Sequence, residues 1–203
     1  MSEFKLLLGT KNPGKVEEAK RILSSVDKGL EILSFHDRDF PEVEEPGETY
    51  LENSLKKARE ISNHTGLPVI SDDSGLEAVA LNGAPGPRSA RFAGPGSSDE
   101  ENLNLLLDKL KDVRNRQARF VAIATLFISP DERYVSRGVL EGRIIREPRG
   151  GSGFGYDPVF VPEGYESTLA ELGEEEKNRI SHRKKALEKM KRKIRGVIRE
   201  RNR

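Results

Sequence analysis

The chain opens with a short apolar run, Phe4–Gly9 (FKLLLG), that reads as a strand. Across Lys15–Val26, the residues Val16, Ala19, Ile22, Leu23 and Val26 recur at the three-to-four-residue spacing of one helix face. Leu30–Phe35 (LEILSF) reads as a second strand, so the start is β–loop–α–β. Thr49-x-x-Glu52 has the form of a capping box, and the helix it starts carries Leu51, Leu55, Ala58 and Ile61 on one face before stopping near Gly66. The following strand, LPVISDDSGLE, is expected to end at two adjacent carboxylates, Asp72 and Asp73.

Beyond the loop NGAPGPRSARFAGPG, a second capping box, Ser98-x-x-Glu101, opens a leucine-rich helix to about Lys111. Ala118–Ile128 and Arg133–Ile145 read as consecutive strands, antiparallel across SPDE, and FGYDPVFVP as another. One long helix is expected from about Glu174 to Arg199. Strands and helices in this mixed order predict an α/β fold of α+β character, with a curved mixed sheet and flanking helices. Residues 1–203 read as a single domain without repeats or a separable linker.

Composition removes several chemistries. There are 203 residues and no Cys, so thiolate nucleophiles, thiolate metal sites and disulfides are excluded. No stretch approaches the roughly 20 apolar residues of a membrane span. The start, MSEFKLLLGTK, lacks a secretory signal pattern. The expectation is a soluble, cytoplasmic protein that does not bind membranes. Net charge is +1, but residues 183–203 hold eleven Lys/Arg against two Glu, which leaves the rest of the chain at −8. A basic tail is one mark of a nucleic-acid binder, and a solvated helix face is the plainer alternative.

The first turn, Gly9-Thr10-Lys11-Asn12-Pro13-Gly14-Lys15-Val16, nearly matches the phosphate-loop pattern GxxxxGK[ST] between a strand and a helix. Val16 stands where a metal-binding hydroxyl belongs, so any metal must be held by acids elsewhere. Mg²⁺ is a hard ion that takes one or two carboxylates, water and substrate phosphates. Candidates are Glu42, Glu44 and Glu45 in the acidic loop and the Asp72/Asp73 pair, whose burial without a cation would be costly. Phe154–Asp157 (FGYD) joins aromatics to a glycine, as stacking on a flat ring requires, although an aromatic strand is as readily core. Ser181-His182-Arg183 offers donors to a carbonyl oxygen, or simply a charged helix face.

Together these stretches resemble the inosine/xanthosine triphosphate pyrophosphatase family, house-cleaning enzymes of the purine nucleotide pool. The resemblance is carried by TKNPGKVEE, ENSLKKAR, SDDSGLEAVALNGAPGPRSARFAG, GGSGFGYDPVF and EEKNRISHRKKAL, in family order from Leu6 to Leu187. It implies two lobes around a central cleft, a homodimer, and Mg²⁺-dependent hydrolysis of ITP, dITP or XTP to the monophosphate and pyrophosphate. Position by position it implies that Thr10, Lys11, Asn12, Pro13, Gly14 and Lys15 bind triphosphate. Asp73 matches the catalytic acid and a metal ligand, with Ser74 as the adjacent substrate contact. Glu45 matches the second metal carboxylate, with Glu44 as its close alternative. Lys57, with Asn53 one turn before it, falls at a basic active-site position. Phe154, Gly155, Tyr156, Asp157, Lys177, His182 and Arg183 match the part that embraces the base.

The expected reaction is in-line attack of water on the α-phosphorus. Asp73 would position that water, because a carboxylate beside a divalent cation and lysines is a weak base. His182 and Arg183 would donate to a 6-keto oxygen. Side chains alternate along a strand, so Asp72 is expected to face away from Asp73 and to support the Ser74-Gly75 backbone. The rival readings are a pyrophosphatase of similar fold acting on pyrimidine triphosphates and a nucleic-acid-binding module built on the basic helix.

Overall fold

The structure, a computed structural model, describes residues 4–201. Six strands form one mixed sheet in the order β2-β1-β3-β4-β5-β6: β1 Phe4–Leu8, β2 Leu30–Leu33, β3 Val69–Ala78, β4 Gln117–Ser129, β5 Glu132–Ile144 and β6 Phe160–Pro162. β1 pairs in parallel with both β2 and β3, and β5 pairs antiparallel with β6. Only Pro130 and Asp131 separate β4 from β5, and a connection that short can join only antiparallel neighbours. The helices are α1 Pro13–Leu23, α2 Tyr50–Thr65, α3 Asp99–Lys109, α4 Glu174–Ile180 and α5 His182–Arg201. Among the described residues no helix is long and apolar enough to cross a membrane.

The chain divides into two compact units. The first comprises the residues up to Asp73, Ala122–Gly138, and the residues from Arg183 on; the second comprises Ser74–Val121 and Val139–His182. In the first unit, β1 is buried on both faces, as a central parallel strand should be. Its side chains sort by parity. Phe4, Leu6 and Leu8 join Val16, Ala19, Ile22 and Leu23 of α1 and Ala186, Leu187, Met190, Ile194 and Val197 of α5. Leu7 faces the other way, into a cluster with Ala58 and Ile61 of α2 and Phe40. β3 follows the same rule, with Ile70 on the α1/α5 side and Val69 on the α2 side. The second unit packs Leu103, Leu106 and Leu110 against Leu76, Phe120, Leu140, Ile144 and Phe160.

Both capping boxes form, at Thr49/Glu52 and Ser98/Glu101. Three expectations need correction. β3 does not end at the paired acids but continues through them to Ala78. FGYDPVFVP is a strand only from Phe160 to Pro162, because Asp157–Val159 coil into a 3-10 turn with Pro158 in it. The expected long terminal helix is broken at Ser181, whose extended ψ of 133° separates α4 from α5.

Candidate active site

In the first unit, the Thr10–Lys15 turn joins β1 to α1. Asn12 caps the helix, its Oδ1 accepting the Lys15 N–H at 3.0 Å, and its own N–H donates to Thr10 Oγ1 at 3.2 Å. Pro13 occupies the first helical position, where its missing N–H costs nothing. A helix N-terminus of this kind favours anions. The two lysines of the turn diverge. Lys11 reaches Asp39 Oδ1 at 2.9 Å and lies 5.4 Å from the Phe40 ring centre, whereas Lys15 reaches Asp72 Oδ2 at 3.3 Å. Asn12, Pro13 and Gly14 are exposed.

The alternation of β3 gives the paired acids different neighbours. Asp72 points to the α1/α5 side, where its Oδ2 also accepts Arg183 Nε at 3.0 Å. Arg183 Nη1 in turn donates to Glu18 Oε2 at 2.9 Å, forming a buried chain Lys15–Asp72–Arg183–Glu18. Asp73 falls on the α2 side, where its Oδ2 accepts Asn53 Nδ2 at 2.9 Å. Asp72 therefore does face away from Asp73, but the partners shown for it are Lys15 and Arg183, not the Ser74-Gly75 backbone expected for it. Ser74 follows on β3, half-buried. Gly75 is required by close approach, since a Cβ there would stand 2.3 Å from Gly86 O and 2.4 Å from Ser89 Oγ.

Burial opposes ionisation of Asp72, but Lys15, Arg183 and Lys57 outweigh it and hold the carboxyl well below the usual range. Burial likewise lowers the Lys15 ammonium; Arg183 and Lys57 add to that effect, and Asp72 resists it. For Arg183, burial is outweighed by Asp72 and Glu18, and its pKa rises. Arg183 is 7% exposed, with its Nε on Asp72 and its Nη1 on Glu18.

Helix α2 supplies the other charged group. Lys57 Nζ donates to Glu45 Oε1 at 2.8 Å. Glu44 is exposed, and its backbone carbonyl accepts Lys56 Nζ at 2.7 Å. One turn earlier, Asn53 Oδ1 accepts Gly47 N–H at 2.7 Å while its amide holds Asp73. The loop that carries Glu45 is thus tied to the asparagine that binds Asp73. These are hard oxygen donors. Among the described residues no group of three or more His, Cys, Asp or Glu is arranged to hold a metal ion, so a cation here would complete its shell with water and phosphate oxygens. That is the habit of Mg²⁺, and the donor set fits it.

The second unit holds the aromatic group. Phe154 is 63% exposed, with Lys177 Nζ 5.1 Å from its ring centre. Lys177 donates to buried Asp157, whose Oδ2 also accepts Phe154 N–H at 3.1 Å. Gly155 N–H donates to Asp99 Oδ2 at 2.7 Å, and Tyr156 is buried with its hydroxyl donating to Ser89 O at 2.8 Å. His182 stacks on Phe120, the ring centres 5.1 Å apart and the planes within 13°. Phe154, Gly155, Tyr156, Asp157 and Lys177 are therefore brought together, and His182 is held flat by an aromatic partner.

Glu18, Asp99 and Phe120 were not singled out in the sequence. Glu18 left one trace, an acid bordering the apolar face of α1, with Ala19 and Ile22 buried beside it.

A model of the Ham1 family matches residues 6–193. A dITP/XTP pyrophosphatase of Exiguobacterium sp. is 47% identical over 188 residues, covering 92% of this chain and 95% of that one. A HAM1 protein from Coxiella burnetii superposes with TM-score 0.87 at 38% identity, covering 94% and 98% of the two chains. A nucleoside-triphosphatase/dITP/XTP pyrophosphatase from Mycobacterium abscessus gives TM-score 0.76 at 44% identity, covering 92% and 98%.

Proposed function

Since the chain belongs to the Ham1 family, we propose that it hydrolyses dITP, ITP and XTP to the nucleoside monophosphate and pyrophosphate, cleansing the purine nucleotide pool. The observation that carries this reading is the placement, within one unit, of two preorganised lysines on α1 and α2, Lys15 held by Asp72 and Lys57 by Glu45, together with Asp73 held by Asn53 of α2. Glu45 and Asp73 would hold Mg²⁺, which supplies charge neutralisation for the leaving phosphates.

The protein's own groups do the rest. Thr10–Lys15 and the α1 N-terminus receive the triphosphate, and Lys15 and Lys57 balance its charge without having to reorganise. Asp73, its Oδ2 fixed by Asn53, orients the attacking water toward the α-phosphorus. Ser74 contacts the same phosphate region. The exposed Phe154 face stacks on the base, backed by Gly155, Tyr156 and Asp157 with Lys177 beside the ring, and His182 donates to a 6-keto oxygen. A 6-amino group would set donor against donor, a mismatch able to cost about 10⁴-fold in discrimination. Arg183 serves this site through Asp72 and Lys15. The protein works as a cytoplasmic homodimer, with a small-molecule nucleotide as substrate and no nucleic-acid or membrane partner.

The test is pyrophosphate release from ITP, dITP, XTP, dTTP and UTP, with and without Mg²⁺. The expected result is Mg²⁺-dependent turnover of the three purines, at least about 10²-fold above the pyrimidines. Equal turnover of dTTP or UTP would refute the purine assignment.

A further inference from the structure

We infer that Asn53 is a positioning residue, which fixes the carboxylates of Asp73 and the Glu45 loop relative to each other and does not contact the nucleotide. This rests on the proposed reading of Glu45 and Asp73 as the metal ligands. Three observations lead to it.

First, Asn53 is 1% exposed, so its amide is closed to a substrate. Second, both ends of the amide are engaged. Nδ2 donates to Asp73 Oδ2 at 2.9 Å and Oδ1 accepts Gly47 N–H at 2.7 Å. Only one orientation satisfies both, because a flipped amide would set N–H against N–H and oxygen against carboxylate. Third, Lys57 lies four residues on, on the same helix face, and takes Glu45 Oε1 at 2.8 Å. One stripe of α2 therefore grips one carboxylate through Asn53 and the other through Lys57, and Gly47 ties the loop between them.

The residue types follow from this arrangement. Aspartate at 53 would face Asp73 with a like charge, and glutamine would push the strand and loop apart by a methylene. Gly47 must lack a side chain, because a Cβ there would stand 2.6 Å from Asn53 Oδ1 and 2.9 Å from Glu52 Cβ. An outer partner that orients ligands in this way typically governs metal affinity by about 10- to 100-fold.

The test is Mn²⁺ titration of the nucleotide-free protein, followed by electron paramagnetic resonance, with thermal unfolding recorded separately. Asn53→Leu removes both hydrogen bonds, and Gly47→Ala displaces the Asn53 amide from an exposed loop while leaving Asn53 in place. Each is expected to weaken Mn²⁺ binding about tenfold or more. If Asn53→Leu does not fold, Gly47→Ala decides alone. A folded variant whose Mn²⁺ affinity stays within about twofold of the parent overturns the inference, whatever its melting temperature. Asp73→Asn is titrated alongside. Parental Mn²⁺ affinity in that variant would instead remove the metal-site reading itself.

Discussion

Lys15, Asp72, Arg183 and Glu18 form an unbroken chain of ion pairs in the interior of one unit, whereas Phe154 stands 63% exposed on a glycine-rich loop of the other. The first group is interlocked, each charge fixed by the next. The second offers a ring face, with a lysine behind it and a buried carboxylate, Asp157, fixing the loop. The contrast matches the two tasks proposed for these groups. Charge that builds up during phosphoryl transfer is stabilised by dipoles that do not move. A flat base is recognised by a surface that is open beforehand and gains its energy from stacking.

The largest expected effect comes from breaking the interlocked group. Arg183→Met would leave Asp72 and Glu18 buried without their shared cation and should lower stability by about 3–5 kcal/mol, read from urea unfolding. If that variant is as stable as the parent, the two groups are not built differently. Next, Asp73→Asn should reduce kcat at least about 10²-fold while leaving the urea midpoint close to the parent's, because this acid lies outside the buried chain. A kinetic loss of the same size in Asp72→Asn at unchanged stability would erase the division between the neighbours.

A smaller effect follows from pH. The folded Asp72 carboxyl is held below its unfolded value of about 3.9, so the unfolded chain takes the proton first on acidification. Its contribution is complete above about pH 5 and drains away as pH falls through the folded value. Asp72→Asn should therefore flatten the fall in urea midpoint below about pH 4, and a parallel curve would contradict the assignment. Smallest is Phe154→Ala, which should raise the KM for ITP about tenfold with almost no change in melting temperature, since an exposed ring contributes stacking and little core. A large drop in melting temperature would make Phe154 structural.

The local parts of this architecture were legible in the sequence. Both capping boxes and the hairpin of β4 and β5 follow from residues a few positions apart, and the structure places them where the pattern does. What escaped depends on distant pairs. Glu18 and Arg183 are 165 positions apart, and Asp72 and Arg183 are 111 apart, so no window of the chain contains them together. β3 was expected to end at its two acids, Asp72 and Asp73. It continues because alternation sends one acid to Lys15 and Arg183 and the other to Asn53. The break at Ser181 was hidden as well, since EEEKNRISHRKKAL keeps good helix formers on both sides of a single serine.

Helix α5 gives the basic end of the chain a meaning that its charge does not suggest. Arg183 begins the stripe that continues through Ala186, Leu187, Met190, Ile194 and Val197, all of them buried. The angle at which its guanidinium meets Asp72 is therefore set by packing several turns downstream. One residue inserted after Arg183 would turn it by about 100° relative to that stripe. Shortening, lengthening or fusing a tag into this helix is thus an intervention at the Lys15–Asp72 pair, even though every changed residue lies far along the chain from Lys15.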